Sequence, residues 1–317
     1  MSENIKDLPP LLVITGPTAT GKSKVAILVA GAVGGEIVSA DSMLVYRHMD
    51  IGTAKPTKKE MCDIPHHLIN IIEPDQDYSA AVFQQQARAA IASIQERGKL
   101  PILAGGTGLY IRAVIDHYDF TGACRDELLR AELREESERN GFESLHLRLA
   151  EVDRRSAERL HPRDVRRVIR ALEVYYLTGK PFSSYQKTNG CAGPLYNLVI
   201  FGLTMARETL YRRIEQRVEA MISAGLVEEV RGLLSAGYGA GLASMRGLGY
   251  KEIVSYLAGE VSLPQAVELL KRNTRRFAKR QLTWFRRDER IRWLEIDPLQ
   301  GLHAAAQEIL GYIEGVY

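Results

Sequence analysis

The apolar run Leu11-Leu12-Val13-Ile14 leads through Thr15 into Gly16-Pro17-Thr18-Ala19-Thr20-Gly21-Lys22-Ser23, and a helical pattern starts near Lys22. Continuous apolar residues stopped by a glycine read as a strand buried on both faces, and such strands belong to parallel sheets joined by helical crossovers. The octapeptide matches G-x-x-x-x-G-K-[ST] and lies where its chemistry requires, between a buried strand and a helix. Loop N–H groups and the helix N-terminus then converge on one spot, which favours a di- or triphosphate. Lys22 adds a mobile charge on the terminal phosphates, and the Ser23 hydroxyl is the expected contact for Mg²⁺. Gly16, Pro17, Thr18, Ala19, Thr20, Gly21, Lys22 and Ser23 are thus the candidate diphosphate- or nucleotide-binding residues.

Further strand-like runs are Ile37-Val38, ending in Ser39-Ala40-Asp41, then His67-Leu68-Ile69-Asn70, Pro101-Ile102-Leu103-Ala104 and Leu198-Val199-Ile200-Phe201-Gly202-Leu203, with a last one at Ile291 to Ile296. Helical stretches lie between them, one from about Ser79 to Arg97 and three or four over about 207 to 288. Strands alternating with helices predict an α/β fold: a P-loop parallel sheet with helices on both faces. From about Asp119 to Asn189 no strand-like run occurs and charged helical sequence takes over. The expected organisation is a core domain of residues 1–118 and 195–317 and an all-helical insertion of residues 119–194.

In such sheets the carboxyl ends of the strands form the ligand crevice. Ile102-Leu103-Ala104 runs into Gly105-Gly106-Thr107-Gly108-Leu109-Tyr110 with no acid at its tip, so the second carboxylate of an NTPase is missing there. Asp41 is the acid at a strand end. A carboxylate and a hydroxyl beside a diphosphate suggest group transfer: Asp41 as proton acceptor from a nucleophile, Thr107 as hydrogen-bond partner of the leaving oxygen or the acceptor. The alternatives are a helix N-cap or a water-mediated metal contact for Asp41, and a turn role for Thr107.

Lys plus Arg number 42 against 39 for Asp plus Glu, a net charge of +3, so a polyanion surface must come from arrangement. Arg163, Arg166, Arg167 and Arg170 fall at i, i+3, i+4 and i+7, one helical stripe and a phosphate-backbone pattern. A second basic segment runs from Lys271-Arg272 to Arg286-Arg287, with Val267, Leu270, Thr274 and Phe277 at helical spacing. Two such segments favour a nucleic-acid partner over solvated helix faces. In Glu208 to Val218 the residues Leu210, Ile214 and Val218 mark a buried face, which leaves Arg217 to reach a neighbouring site or to pair within its helix. Trp284 and Phe285 read as core rather than as base-stacking residues. Cys62, Cys124 and Cys191 lie far apart without zinc or disulfide spacing, Met1 to Asp7 lacks an apolar core, and no apolar run reaches membrane-spanning length. A cytoplasmic protein without membrane association is expected.

Taken together, Gly16 to Ser23, Ser39-Ala40-Asp41-Ser42-Met43-Leu44-Val45-Tyr46, Met49-Asp50-Ile51-Gly52-Thr53-Ala54-Lys55-Pro56, Gly105 to Tyr110, His161-Pro162 with its arginines, and Gly247-Leu248-Gly249-Tyr250 resemble the tRNA dimethylallyltransferase (tRNA isopentenyltransferase) family. The resemblance spans residues 11 to about 287. The phosphate loop is shared with many kinases, and the run from Asp41 to Pro56 is far more specific. Ser23 stands where Thr is common, and Met43 and Gly108 stand where the family varies. No zinc finger of the kind seen in many eukaryotic members follows, which points to the bacterial type.

The resemblance implies transfer of the dimethylallyl group from dimethylallyl diphosphate to N6 of the adenosine 3′ of the anticodon, with Mg²⁺, by a monomer. It implies Asp41 as general base, Thr107 and Arg217 on the diphosphate or the developing charge, and Ser42, Met43 and Leu44 around the extruded adenosine. Arg130 and the stretch Arg166, Arg167, Val168, Ile169 and Arg170 would hold the anticodon arm. The rival readings are a P-loop small-molecule kinase, a relative that prenylates free AMP, and a non-catalytic RNA-binding module.

Overall fold

The computed structural model describes residues 7–118, 120, 126–185, 193–296 and 301–317. Two compact units divide the chain, Met1–Ile115 with Pro194–Tyr317 and Asp116–Gly193.

In the first unit the strands are β1 (Pro10–Thr15), β2 (Glu36–Ser39), β3 (His66–His67), β4 (Pro101–Ala104), β5 (Asn197–Thr204) and β6 (Ile291–Glu295). They form one parallel sheet in the order β3-β2-β4-β1-β5-β6. Helices α1 (Lys22–Val33), α2 (Lys58–Met61), α3 (Ala80–Glu96) and α4 (Gly108–Ile115) precede the excursion into the second unit, which holds α5 (Glu127–Asn140), α6 (Phe142–Val152), α7 (Arg154–Arg159) and α8 (Val165–Thr178). Then follow α9 (Arg207–Ser223), α10 (Leu226–Ser235), α11 (Tyr250–Leu257), α12 (Leu263–Phe285) and α13 (Gly301–Ile313).

The continuous apolar run of β1 is explained by its two covered faces. Leu12 and Ile14 join Val25, Ala26 and Val29 of α1 and Ile309 of α13 in one cluster. Leu11 and Val13 join Phe83, Ile91 and Ile94 of α3 and Ile111 and Val114 of α4 in another. A third cluster lies off the sheet, where Val45, Tyr46 and Met49 pack with Leu226, Val230, Met245, Tyr250, Ile253 and Leu270. The second unit has its own core of Leu133, Leu145, Leu149, Val168, Ile169 and Leu172. Among the described residues no helix is long and apolar enough to cross a membrane.

Of the strand expected at His67 to Asn70, only His67 is in the sheet, as the second residue of β3. Leu68 and Asn70 adopt positive φ, 63° and 56°, which takes the chain out of the sheet. Its backbone donors turn to the segment after β2 instead: Asn70 N–H donates to Leu44 O, and Ile71 N–H to Val45 O. Cys62 is an exposed free thiol, while Cys124 and Cys191 lie outside the described residues.

At the start of β2 Glu36, 3% exposed, meets His67 at 2.8 Å, Arg97 at 2.7 Å and Lys99 at 2.9 Å. Burial alone would raise its pKa, but the hydrogen bonds from Lys99, His67 and Arg97 prevail and hold it at about 2, against an ordinary 4.5. A folded carboxylate with a depressed pKa stabilises above the unfolded value and loses that contribution as pH falls towards the folded one. Glu36→Gln is therefore expected to lower the midpoint of thermal unfolding at pH 7, with the deficit shrinking as the pH drops below about 4.5. A deficit that stays constant from pH 7 to pH 3 would show that the charge of Glu36 contributes nothing.

Candidate active site

The carboxyl ends of β1, β2, β4 and β5 carry the residues of interest, and the backbones there touch directly. A Cβ on Gly16, whose φ is 133°, would lie 2.3 Å from Leu203 O, and one on Gly105 would lie 2.2 Å from Ala40 O. Real Cβ contacts do not come that close, so the glycines let the loops after β1 and β4 pass over their neighbours. The register Ser39↔Ala104 then sets Asp41 beside Thr107. Thr107 N–H donates to Ala40 O (3.1 Å), its Oγ1 accepts from Ser42 N–H (3.1 Å), and its hydroxyl faces Ser42 Oγ at 3.4 Å. Asp41 Oδ1 accepts from Met43 N–H at 2.9 Å, which anchors the carboxylate through one oxygen.

The glycine-rich loop leads into α1, whose N-cap Gly21 makes no side-chain cap and whose first turn has no acid. The positive end of that helix is thus uncompensated by the chain itself, and an anion is its natural complement. Lys22 Nζ donates to Pro17 O at 2.7 Å, and Thr20 Oγ1 to the same carbonyl at 2.9 Å. Arg217 Nη1 lies 3.4 Å from Thr18 Oγ1, so the arginine turns to this loop rather than pairing within α9. Burial first and Arg217 second push the Lys22 ammonium down to about 7, and Asp41 partly offsets them. Burial likewise lowers the pKa of Arg217, with Asp41 opposing. Two crowded cations and one carboxylate make a site whose charge is balanced only when an anion arrives. Ser23 is exposed in the first turn of α1. Among the described residues no three His, Cys, Asp or Glu side chains cluster as a metal site would require.

Gln281 of α12 was not anticipated. Its Oε1 accepts from Thr18 N–H at 2.8 Å and its Nε2 donates to Gly106 O at 2.9 Å, bridging the loops after β1 and β4. A Cβ on Gly106 would lie 2.4 Å from that Nε2. Sequence carries little signal for this, since a lone polar residue within a basic helix reads as surface. Its neighbours divide: Phe285 is buried, whereas Trp284 is 38% exposed with its indole against Gly108, contrary to the core placement expected of it. The basic face of α12 is partly answered by acids, Lys271 with Glu219 and Arg275 with Glu215 and Glu268. Around the expected adenosine pocket Leu44 is buried, and Met43 lies against Gly247, where a Cβ would come within 2.5 Å of its Cε.

The second unit departs further from the sequence reading. Helix α8 starts only at Val165, so Arg163 precedes it and packs over the Phe142 ring instead of extending the stripe. Acids are interleaved: Arg167 pairs with Asp164 at 3.2 Å, and Arg170 and Arg130 both meet the fully buried Glu173, at 2.5 and 2.8 Å. Val168 and Ile169, 0% and 4% exposed, belong to the core, so their side chains are not part of a surface that touches RNA. Of the stripe, Arg163, Arg166 and Arg167 are exposed, and of these Arg166 and Arg167 lie on α8 itself.

The fold is that of an α/β protein, with its candidate site at the carboxyl edge of a parallel sheet. The model of the IPP transferase family matches residues 44–288, and the chain belongs to that family. It is 60% identical over 99% of both chains to the tRNA dimethylallyltransferase of Pelotomaculum thermopropionicum. Among solved structures it is similar to the tRNA isopentenylpyrophosphate transferase of Bacillus halodurans, with TM-score 0.70 and 44% identity over 97% of each chain. It is also similar to a eukaryotic dimethylallyltransferase acting on tRNA, with TM-score 0.80 and 28% identity over 92% of this chain and 75% of that one.

If Lys22 is the anchor of an anion here, Lys22→Met will weaken binding of inorganic diphosphate by tenfold or more, since charge-assisted hydrogen bonds contribute about 1.5–3 kcal/mol. Calorimetric titration measures it, and equal affinities would remove the anion from this loop.

Proposed function

We propose that this chain transfers the dimethylallyl group from dimethylallyl diphosphate to N6 of the adenosine 3′ of the anticodon in tRNA, releasing diphosphate, in the cytoplasm. One observation carries the reading: Lys22 and Arg217, suited to a departing diphosphate, share an electrostatic neighbourhood with Asp41, suited to an incoming amine. The names of relatives at this identity support tRNA as the acceptor and dimethylallyl as the group transferred.

Transfer breaks the bond between the allylic C1 and the bridging diphosphate oxygen and forms the bond between C1 and N6. Lys22, the N–H groups of the loop and Arg217 take up the negative charge that grows on the leaving oxygens, where fixed dipoles and cations act most strongly. Thr107, held by the Ser42 N–H, is oriented towards the same region. Asp41, anchored through Oδ1, accepts the N6 proton through its second oxygen. Mg²⁺ supplies further charge neutralisation when bound with the diphosphate. A single hydroxyl from Ser23 and the lack of an acidic cluster among the described residues fit an ion that takes few protein ligands and several phosphate and water oxygens. Arg130, Arg166, Arg167 and Arg170 of the second unit are the proposed contacts to the anticodon arm.

Incubation with Mg²⁺, labelled dimethylallyl diphosphate and unmodified tRNA, followed by digestion and mass analysis, is expected to give N6-dimethylallyladenosine. Label on AMP instead would make the chain an AMP-prenylating relative. Asp41→Ala is expected to lower transfer by about 10²–10⁴-fold while tRNA affinity stays near normal, and a large loss of affinity would refute its role as base. Replacing the exposed Arg166 and Arg167 with Ala should weaken tRNA binding and flatten its dependence on salt. An unchanged slope of log affinity against log salt would place RNA elsewhere.

A further inference from the structure

Two of the segments that carry the family resemblance, Met49 to Pro56 and Gly247 to Tyr250, hold no residue of the proposed chemistry. In the structure they meet at one side chain. Glu229, in the first turn of α10, accepts hydrogen bonds from three successive backbone N–H groups, Asp50 and Ile51 to Oε2 at 2.9 and 2.8 Å and Gly52 to Oε1 at 3.1 Å. The Tyr250 hydroxyl donates to the same Oε1 at 2.7 Å. Successive N–H groups closing on one anion form a nest, and here the chain supplies the anion itself. Gly52 has no Cβ because the Tyr250 ring lies 2.5 Å from where one would be.

The opposite charge closes the other side of the same loop. The ammonium of Lys55, with a side chain only 4% exposed, donates to Tyr46 O at 2.6 Å, to Asn70 Oδ1 at 2.5 Å and to Asp50 Oδ1 at 2.7 Å. Thr53 Oγ1 donates to Met49 O at 2.7 Å. His48 and Ala54 sit at φ 62° and 50°, a strained backbone that persists where its surroundings over-determine it. Towards Asp41, Met43 is wedged on Gly247, and its N–H holds the Asp41 carboxylate. The hydrogen bonds and packing thus run without a break from Glu229 to Asp41.

We propose that Glu229 is a positioning residue of the transfer reaction: its carboxylate, with Tyr250 and Lys55, locks residues 43–55 into the shape that holds Asp41 and the acceptor base in line with the donor. This rests on the reading of Asp41 as the base, and it assigns Glu229 to the acceptor side alone. Lys22, Arg217 and the loop after β1 are served by other contacts, so loosening residues 43–55 leaves donor ionisation intact while the amine is misplaced. Water then attacks C1 in place of N6. The bond from C1 to the diphosphate oxygen breaks, a bond from C1 to the water oxygen forms, and the water proton passes to solvent, giving dimethylallyl alcohol and diphosphate.

The test is the partition between the two products with tRNA bound. Glu229→Gln keeps the volume but places an NH₂ group against backbone donors. It is expected to raise the ratio of dimethylallyl alcohol to N6-dimethylallyladenosine by at least about tenfold and to lower kcat for transfer similarly, with KM for dimethylallyl diphosphate within about twofold. A role in stability alone would lower the unfolding midpoint and the active fraction but leave that ratio unchanged, and this outcome overturns the proposal. Tyr250→Phe, which removes one of the four hydrogen bonds and keeps the ring on Gly52, is expected to shift the ratio in the same direction by a smaller factor. Should Glu229→Gln fail to fold, an unchanged ratio in Tyr250→Phe overturns the proposal instead. Wild-type protein that makes no N6-dimethylallyladenosine would refute the functional reading, a result distinct from wild-type transfer with an unaltered ratio in the variants.

Discussion

At the carboxyl edge of the sheet, backbone packs on backbone with no room for a single methyl group. Gly16 against Leu203 and Gly105 against Ala40 close the loops after β1 and β4 onto β5 and β2, and everything chemical in the first unit hangs from those contacts. Because the strands are parallel and in register, Ile14, Ser39 and Ala104 end at one level, and the residues that follow them share one crevice. A side chain at either glycine would separate Thr107 and Asp41 from the loop that carries Lys22.

Within that crevice, charge is left deliberately unbalanced. Lys22 and Arg217 are crowded and partly buried beside one carboxylate, a costly arrangement that an anion such as the proposed diphosphate would relieve. Elsewhere the protein answers buried or half-buried charge internally: Glu36 gathers three cations, Glu173 two arginines, and the half-buried Glu229 three backbone N–H groups and a phenol. The contrast separates charges answered within the fold from those on which the proposed function rests.

Much of this was legible beforehand because the signals are local. A continuous apolar run, a glycine and a lysine at the first position of a helix describe β1, its loop and α1 without reference to the rest of the chain. Asp41 and Thr107 were legible because the ends of parallel strands converge by rule. What escaped reading is long-range. Gln281 reaches the loop after β1 from 263 residues away, and Glu229 meets Gly52 across 177. Val168 and Ile169 lie within an arginine-rich stretch, but the helix turns them inward, since a 3.6-residue period puts neighbours in sequence on different faces. His67 to Asn70 has strand composition and leaves the sheet because its backbone donors find Leu44 and Val45.

Readable from the sequence alone were the class of sheet, the loop between β1 and α1, and the placing of Asp41 and Thr107 at neighbouring strand ends. These follow from short-range patterning and from the few ways parallel strands connect. It took the folded chain to show which charges are paired within the protein, which arginines face water, and what shapes the loop after Asp41. Those depend on contacts between residues far apart in the chain, formed once the whole core has closed and water has left it.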